Sequence, residues 1–367
     1  MVLGNKSRGL MITELYLFHD PIDSTLLTKE NTIIAKSRSF DSRPYSDDEY
    51  EQTIANYFKS NQERIKGKVI TDKNIGEILE SLQTSPAQNN RLMLHSSLDI
   101  GLEQLDKLCS EFNALLYGSS IELEQIQSIT RHYSDKVTTL NFLQEIVPDY
   151  LIPTISICTS NQLEKIIENE ELPLVVKSDH GAGGYGSRIL QSLSDIPSLR
   201  DIPSLRDVKD NREFNRNNRW IIEPYIVDAS SSSLILFLED KRIDLIAITE
   251  QLVDGLNYQG NTFPPTSAQT EKMKDIALKV TYEIWKQGYR GFLNFDFIEK
   301  ENQLFVSEIN FRMPYSFYPV RFVQNNHPQQ TPFIVETTTL NHVHDGIPFY
   351  IKKDGTCRVL HVYAEAC

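Results

Sequence analysis

No apolar run in this 367-residue sequence approaches the roughly 18 residues that a membrane-spanning helix requires, so no span is predicted. Residues 1–18 contain one lysine and one arginine but no long apolar stretch or cleavage site, and no signal peptide is predicted. Cysteine is scarce as well. The four cysteines include no CxxC pair: Cys109, Cys158, Cys357 and Cys367. We expect a cytoplasmic protein with buried or incidental thiols, the alternative being one catalytic cysteine.

Positive charge is also in short supply. Lysine and arginine number 37 against 50 aspartates and glutamates, which gives a formal net charge of -13. This balance argues against nucleic-acid or membrane-surface partners, because both present phosphate groups that need cationic side chains. A local basic pocket for the phosphates of a small molecule remains compatible with it. The hydrophobic fraction of 40% is ordinary for a globular protein, and the length allows two or three domains.

Short apolar segments alternate with amphipathic ones in the first third of the chain. Residues 14–18, 91–94 and 114–117 are predicted strands, and residues 98–112 carry apolar side chains at helical spacing. A further helix is predicted near residues 47–60. This alternation is typical of an α/β domain with parallel strands.

The pattern changes beyond residue 119. A continuous helical pattern covers residues 120–146, and an amphipathic helix is predicted at 271–287. The remaining predictions are strands at 172–177, 187–191, 220–226 and 357–363, and two hairpins, 234–238 with 243–248 and 291–298 with 304–309.

Two phosphate-binding fingerprints are incomplete in the glycine-rich segment HGAGGYG, residues 180–186. No Gly-Lys-Ser/Thr closes a Walker loop, and the GxGxxG spacing is followed by a predicted strand where a dinucleotide fold needs a helix. A strand–glycine loop–strand arrangement favours a flap whose backbone N–H groups face phosphates. A tight hairpin without ligand is the alternative. Lys177, at the end of the preceding strand, either reaches phosphate oxygens or is a solvated lysine.

Three oxygen-bearing side chains are predicted to meet on the second hairpin. Glu308 and Asn310 are two residues apart and therefore share one face of a strand. Asp296 lies on the paired strand across a short turn, and apolar neighbours indicate a buried setting. Carboxylate and amide oxygens suit Mg²⁺ that bridges phosphates. The alternative is a solvated hairpin face.

Arg312 continues the same face and can stabilise charge on a transferring phosphoryl group, or form a surface salt bridge. The segment that follows, residues 313–323, is expected to line the substrate side. Its candidate contacts are Tyr315, Ser316 and Arg321, of which Arg321 suits a substrate carboxylate. Core positions are favoured for Phe317 and Tyr318, and exposed or core positions rather than ligand or proton-transfer roles for His327, His342 and His344.

Taken in order, these segments resemble the ATP-grasp superfamily over roughly residues 120–320. The resemblance rests on the following residues: Ser134-Asp135-Lys136, Val175-Val176-Lys177 with residues 180–186, Ile222-Glu223-Pro224-Tyr225-Ile226, Asp296 and Glu308-Ile309-Asn310-Phe311-Arg312. It implies an N-terminal α/β domain (1–119, pre-ATP-grasp-like), a first lobe with the flap (120–225) and a second lobe with the metal site (226–367). The implied fold class is α/β, α+β in parts, with antiparallel sheets and helices in the two lobes.

The resemblance also implies roles for individual residues. Lys136 and Lys177 would contact ATP phosphates, and Arg312 would stabilise the acyl-phosphate step. Gly183, Gly184, Tyr185 and Gly186 would form the flap, Glu223, Tyr225 and Ile226 the adenine hinge, and Asp296, Glu308 and Asn310 the Mg²⁺ ligands. The departures from the usual pattern, Ser178, Asn294 and the serine run 230–233, leave the subfamily open.

The activity that the resemblance implies is an ATP- and Mg²⁺-dependent carboxylate–amine ligase, with Mn²⁺ as a substitute metal. It would activate a carboxylate as an acyl phosphate and join it to the amine of an amino acid or small peptide, releasing ADP and phosphate. The substrates would be small molecules, and a homodimer is compatible with the fold. The alternatives are a carboxylase-like or phosphotransferase member of the superfamily and a non-catalytic nucleotide-binding protein.

Overall fold

A computed structural model describes residues 13–18, 32–36, 68–70, 90–98, 101–111, 114–179, 186–196, 219–326, 332–339, 347–351 and 356–363. The predicted helix at 47–60 lies outside these ranges, as do Gly183, Gly184 and Tyr185. The three histidines for which exposed or core positions were predicted, His327, His342 and His344, also lie outside them. No helix in the described ranges combines the length and apolar character needed to cross a bilayer.

The first sheet has five strands in the order β3-β2-β1-β4-β5, all paired in parallel. They are β1 (Thr13–Phe18), β2 (Thr32–Lys36), β3 (Lys68–Ile70), β4 (Asn90–Leu94) and β5 (Ala114–Leu116), with helix α1 (Leu102–Glu111) between β4 and β5. Leu92, Met93 and Leu94 are all buried, as expected where both faces of a parallel strand are covered. The predicted parallel α/β region is confirmed.

Two helices occupy the segment that the sequence predicted as one continuous helical pattern. Helix α2 spans Leu123–Tyr133 and helix α3 spans Lys136–Ile146. The break lies at Asp135, whose backbone is extended and whose side chain accepts a hydrogen bond of 2.8 Å from the Thr138 N–H. This N-cap satisfies a free donor of the first turn and makes Lys136 the first residue of α3.

A second, antiparallel sheet has the order β6-β9-β7-β8. Its elements are β6 (Ser156–Thr159), helix α4 (Ser160–Ile167), β7 (Leu174–Ser178), β8 (Ser187–Leu190) and β9 (Arg219–Pro224). A buried cluster on one side joins the sheet to α4 through Ile167, Val176 and Trp220. Strands thus flank the glycine-rich segment on both sides, as predicted.

The third sheet has eight strands in the order β14-β13-β10-β11-β12-β15-β17-β16. In chain order these are β10 (Ser230–Leu238), β11 (Ile243–Asp254), β12 (Asn257–Phe263), helix α5 (Thr270–Lys286), β13 (Gly291–Lys300), β14 (Gln303–Asn310), helix α6 (Phe317–Asn326), β15 (Phe333–Thr339), β16 (Ile347–Ile351) and β17 (Thr356–Val362). Both predicted hairpins are present.

The core beneath this sheet fixes the strand that carries the acidic side chains. Phe295 and Phe297 are fully buried on the face of β13 that packs against α5. The ring of Phe311, just beyond β14, stacks on Tyr133 of α2 with centroids 5.1 Å apart. Because alternate residues point to opposite faces, this packing directs Asp296 and Asn310 away from the core.

Candidate active site

A cavity of about 1400 Å³ is bordered by all three sheets. His95 borders it from the end of β4, Lys177 from β7 and Glu308 from β14. Among the described residues that line it, five are cationic and three are carboxylates: Lys136, Lys177, Arg188, Arg312 and Arg358, and Glu223, Asp296 and Glu308. This excess of positive charge, in a chain with a net charge of -13, suits an anionic ligand.

Asp296, Glu308 and Asn310 converge as the hairpin pattern predicted. Asp296 lies directly opposite Glu308 in the β13–β14 register. Asn310 Nδ2 donates to Asp296 Oδ2 at 3.0 Å and to Glu308 Oε2 at 3.3 Å. Arg312 Nη2 in turn donates to Asn310 Oδ1 at 3.4 Å. Four side chains from 17 consecutive residues thus form one polar surface, and their metal-binding and catalytic roles stay predictions.

The pKa values of the two carboxylates are shifted in opposite directions. Burial, together with the neighbouring charge of Glu308, raises the pKa of Asp296 to about 7, although Asn294 and Arg312 act in the opposite direction. Burial also acts to raise the pKa of Glu308, but Lys136 and Arg312 hold it below its ordinary value. A raised pKa on one carboxylate of a closely spaced pair is expected where too little positive charge lies beside the pair.

The donor set fits Mg²⁺. No group of three or more His, Cys, Asp or Glu side chains suited to a metal occurs in the described part of the chain. Mg²⁺ prefers a shell of oxygen ligands. The two carboxylates offer oxygens, and Asn310 offers its amide oxygen if the amide group flips by 180°. Phosphate oxygens and water would complete the shell. Asp296, Glu308 and Asn310 are therefore the residues that would hold the ion.

Two hydrogen-bonded chains that the sequence did not reveal end on Asp296 Oδ1. Ser231 donates to Gln251 at 2.5 Å, and Gln251 Nε2 donates to the carboxylate at 2.9 Å. Ser233 donates to Asn294 at 2.6 Å, whose Nδ2 donates to the same oxygen at 2.9 Å. The sequence signal for these two chains is the alternation of Ser231 and Ser233 along one strand. This alternation is hard to recognise because both residues lie in a run of four serines. The serine run and Asn294, noted as departures from the family pattern, thus orient a proposed ligand.

The two predicted phosphate-binding lysines each contact a cavity carboxylate. Lys136 Nζ lies 3.0 Å from Glu308 Oε1, and Lys177 Nζ lies 2.6 Å from Glu223 Oε2. The Lys136 N–H also donates to the Asp179 carbonyl at 3.1 Å, which ties the start of α3 to the end of β7. These contacts hold both lysines at one cavity, where the charge of Lys177, like that of Lys136, acts to lower the pKa of Glu308.

The described residues of the flap and the hinge form backbone and side-chain contacts within the protein itself. Gly186 has a φ of 85°, the left-handed region that glycine tolerates, and its carbonyl accepts from the Ser178 N–H at 2.7 Å. Tyr225 and Ile226 line the cavity, as predicted. The Tyr225 N–H, however, donates to the Pro173 carbonyl, and the buried Glu223 side chain pairs with Lys177. The Tyr225 N–H is therefore not available for the predicted hydrogen bonds to adenine, which stay a prediction for the other backbone groups of residues 223–226.

The predicted substrate contacts are only partly brought together. Tyr315 and Ser316 line the cavity, whereas Arg321 is not among the residues that do. Arg321 is one helical turn beyond Phe317 on α6, so its guanidinium lies over the Phe317 ring at 5.8 Å and bonds Gln324. Phe317 and Tyr318 are buried, as predicted. The substrate side of the cavity instead contains Arg358 of β17, which the sequence did not identify.

The described thiols do not support a catalytic cysteine. Burial raises the pKa of Cys109 to about 11 and also raises that of Cys158. Neither side chain lines the cavity. Both thiols therefore remain protonated and remote from the proposed chemistry.

A clamp between two antiparallel sheets, with cations facing a carboxylate pair, defines a nucleotide-binding fold of the ATP-grasp class. Residues 133–315 match the ATP-grasp domain family. No curated protein matches the chain in sequence. The chain belongs to the ATP-grasp superfamily.

Solved structures with the same fold cover nearly the whole chain. One is the N5-carboxyaminoimidazole synthetase of Staphylococcus aureus complexed with ADP, at a TM-score of 0.60 and 14% identity over 96% of this chain and 93% of that one. Biotin carboxylase from Campylobacter jejuni has a TM-score of 0.60 and 13% identity over 97% of this chain and 89% of that one. Phosphoribosylamine–glycine ligase from Thermotoga maritima has a TM-score of 0.58 and 13% identity over 95% of this chain and 92% of that one. At this identity the likeness defines the fold, and it includes the N-terminal sheet.

Proposed function

We propose that this protein is an ATP- and Mg²⁺-dependent ligase that activates a carboxylate as an acyl phosphate and transfers the acyl group to an amine. The observation that carries the proposal is the Asp296–Glu308 pair, joined by Asn310 and contacted by Lys136 inside a positively charged cavity. Solvated hairpin carboxylates would not need this enclosure. An ADP complex of a protein with the same fold supports a nucleotide as the anionic ligand.

In the first step, a substrate carboxylate oxygen attacks the γ-phosphorus of ATP, the bond to the bridging β–γ oxygen breaks, and ADP leaves. Lys136 and Lys177 bind and orient the phosphates, and Arg312 stabilises the charge of the transferring group. Asp296, Glu308 and Asn310 would hold Mg²⁺, which would supply positive charge beside the phosphates. Gln251 and Asn294 keep the Asp296 carboxylate oriented.

In the second step, an amine attacks the acyl carbon, the carbon–oxygen bond to phosphate breaks, and the released phosphate takes up the proton that the amine loses. Tyr315 and Ser316, together with His95 at the end of β4, border the side of the cavity where this amine would bind. Gly183, Gly184, Tyr185 and Gly186 remain the proposed cover over the phosphates. A cytoplasmic location and a homodimer remain predictions.

Release of ADP across a matrix of organic acids and amines, with Mg²⁺ and ATP, tests the proposal. Hydroxylamine in place of the amine should trap the acyl phosphate as a hydroxamate, and omission of the acid should abolish ADP release. Mn²⁺ should replace Mg²⁺ with partial activity. ADP release without any hydroxamate would favour phosphotransfer instead.

The same matrix should include bicarbonate as the acid, because two of the similar structures are named as a carboxyaminoimidazole synthetase and a biotin carboxylase. ADP release that depends on bicarbonate alone would assign this chain to the carboxylating members. Absence of ADP release with every acid, together with tight ATP binding, would indicate a non-catalytic nucleotide-binding protein.

A further inference from the structure

Arg358 is a cationic side chain of the cavity wall that the proposed phosphate chemistry does not use. It extends from β17, opposite Thr337 in the β15–β17 register, and both residues line the cavity. The nearest polar wall is firmly built, because Thr337 Oγ1 donates to the Gln259 carbonyl of β12 at 2.6 Å. The guanidinium thus extends from a paired strand of the large sheet and not from a loop.

Two tyrosine rings hold this guanidinium. Arg358 Cζ lies 4.3 Å from the centroid of Tyr315 and 4.7 Å from that of Tyr258. Both distances are well inside the range of cation–π attraction. The Tyr258 hydroxyl donates to Asn261, whose Nδ2 donates to Thr249 Oγ1 at 2.8 Å, and Asn261 is fully buried. The ring is therefore fixed from behind.

Such stacking organises the arginine before a ligand arrives. The ring faces restrict the guanidinium plane, so little rotational freedom is lost when its edge binds a ligand. The in-plane N–H groups form a fork that matches the paired oxygens of a carboxylate or phosphate. Both tyrosines are uncharged partners and leave the positive charge in place.

This part of the cavity wall lies close to the proposed metal side. Tyr258 contacts Arg358 and is also close enough to Asp296 for that carboxylate to act to raise the pKa of its hydroxyl. Tyr315 follows the strand of Glu308 by a few residues and also faces His95, with ring centroids 6.0 Å apart. A small substrate can therefore extend from the phosphoryl-transfer position to Arg358.

We infer that Arg358, held over Tyr258 and Tyr315, binds an oxyanion of a substrate other than the carboxylate that reacts. This inference rests on the proposed function of the same cavity, and it names a substrate class: one of the two substrates carries a second carboxylate or a phosphate. An amino acid or peptide used as the amine meets this requirement through its free carboxylate. Arg358 is thus a specificity-determining residue, in the role that was predicted from the sequence for Arg321.

Calorimetric titration tests the site without turnover. The full-length protein is saturated with Mg²⁺ and the non-hydrolysable analogue AMP-PNP, which fills the phosphate end, and is then titrated with malonate and with inorganic phosphate. The wild-type protein should bind at least one of them, and Arg358→Met should weaken that binding about tenfold or more, as expected for loss of a charge-assisted bidentate contact. Tighter malonate identifies a carboxylate ligand, and tighter phosphate a phosphorylated one.

Two other arginine variants make the titration decisive. Arg131→Met, an exposed residue of α2, should leave anion binding unchanged. Loss of binding in Arg321→Met but not in Arg358→Met would overturn the assignment in favour of Arg321. Unchanged malonate and phosphate affinities in Arg358→Met, or no binding by the wild type, would also overturn it. AMP-PNP affinity and thermal midpoint show whether each variant is folded.

Steady-state kinetics provides a second readout where turnover is found. Amino acids and dipeptides are compared with their C-terminal amides and with O-phosphoethanolamine. The wild type should prefer the anionic compound about tenfold or more in kcat/KM, mainly through KM, and Arg358→Met should abolish the preference. Equal use of acid and amide by the wild type contradicts the inference but leaves the ligase proposal intact, whereas absence of hydroxamate and ADP contradicts the ligase proposal alone.

Discussion

The two ends of the cavity are built in different ways. The phosphate end takes its acidic groups from one hairpin, where Asp296 and Glu308 are opposite each other on adjacent strands. The substrate end gathers His95 from the N-terminal sheet, Tyr258 from β12 and Arg358 from β17. The acidic part of the activation site is therefore encoded locally, whereas substrate choice depends on how distant strands pack. A change at the first end should affect every substrate, and a change at the second should affect only some.

The largest effect is expected at the phosphate end. Glu308→Gln removes a carboxylate that contacts Lys136 and that would hold Mg²⁺, yet it preserves the shape of the side chain. We expect kcat for ADP release to fall roughly 10²–10³-fold for every acid and amine, because transition-state charge loses its partner. The measurement is ADP release at saturating Mg²⁺ and ATP.

Glu301→Gln is the matched control for this variant. Glu301 is exposed at the turn of the same hairpin, so its substitution should change kcat less than twofold. Near-normal activity in Glu308→Gln, or an equal loss in both variants, would remove the hairpin from the proposed site. A loss restricted to substrates with a second anion would reverse the comparison between the two ends.

Sequence reasoning succeeded where the side chains follow the period of one element. The alternation Glu308-Ile309-Asn310-Phe311-Arg312 separates a polar face from a buried one, and the structure buries Ile309 and Phe311 as that pattern predicts. The parallel N-terminal sheet and the antiparallel hairpins were likewise predictable from local patterns. The helical pattern at 120–146 was broken because Asp135 caps a new helix, a side-chain contact that periodicity does not report.

Sequence reasoning failed where tertiary packing decides. Arg321 and Arg358 are both arginines in the last third of the chain, and no local pattern distinguishes them. The register of α6 directs Arg321 onto Phe317, while the pairing of β17 with β15 brings Arg358 to the cavity. Pairings between strands far apart in sequence depend on the whole fold, so the substrate end could not be predicted in advance.

A smaller effect is expected at the ion pairs of Arg219, which connect the two segments that carry the lysines of the phosphate end. Arg219 of β9 forms ion pairs with Asp135, the cap of α3, and with the buried Asp179, at 3.3 Å in the second case. Asp135 precedes Lys136, and Asp179 follows the strand that carries Lys177. Arg219→Met should raise KM for ATP about threefold to tenfold with little change in the choice of acid or amine, because both lysines shift relative to the phosphates.

Arg219→Lys separates positioning from folding. A lysine restores one charge but not the fork that reaches two carboxylates, so it should recover part of the ATP affinity. Asp179 Oδ1 has no hydrogen-bond partner within the described ranges, so loss of the cation should also lower the thermal midpoint. Unchanged KM for ATP with a lowered midpoint would make Arg219 a purely structural residue.

The smallest effect concerns the contact that holds the N-terminal sheet, and with it the substrate end, against the large sheet. Asp240, in the β10–β11 turn, accepts from Ser119 Oγ at 2.7 Å, from the Ser120 N–H at 2.8 Å and from Arg290 Nε at 3.1 Å. Burial opposes its ionisation, but the bonds from Ser120, Ser119 and Arg290 lower its pKa to about 2. The fold therefore favours the charged carboxylate.

The sign of the pH dependence follows from that lowered pKa. The stabilising contribution of Asp240 is present above its ordinary pKa of 3.8 and is lost as the pH falls toward 2. Asp240→Asn should lower the free energy of unfolding by about 1–2 kcal/mol at pH 7, after allowance for solvent screening of a side chain that is 28% exposed. The difference from wild type, measured as the urea midpoint, should shrink between pH 4 and pH 2.

Asp244→Asn on the same hairpin is the control. Among the described ion pairs, Asp244 pairs only with the exposed Arg242, so this substitution should cost less than about 0.5 kcal/mol. An equal cost in both variants, or a cost for Asp240→Asn that does not change with pH, would show that the N-terminal sheet is held by apolar packing and not by this carboxylate.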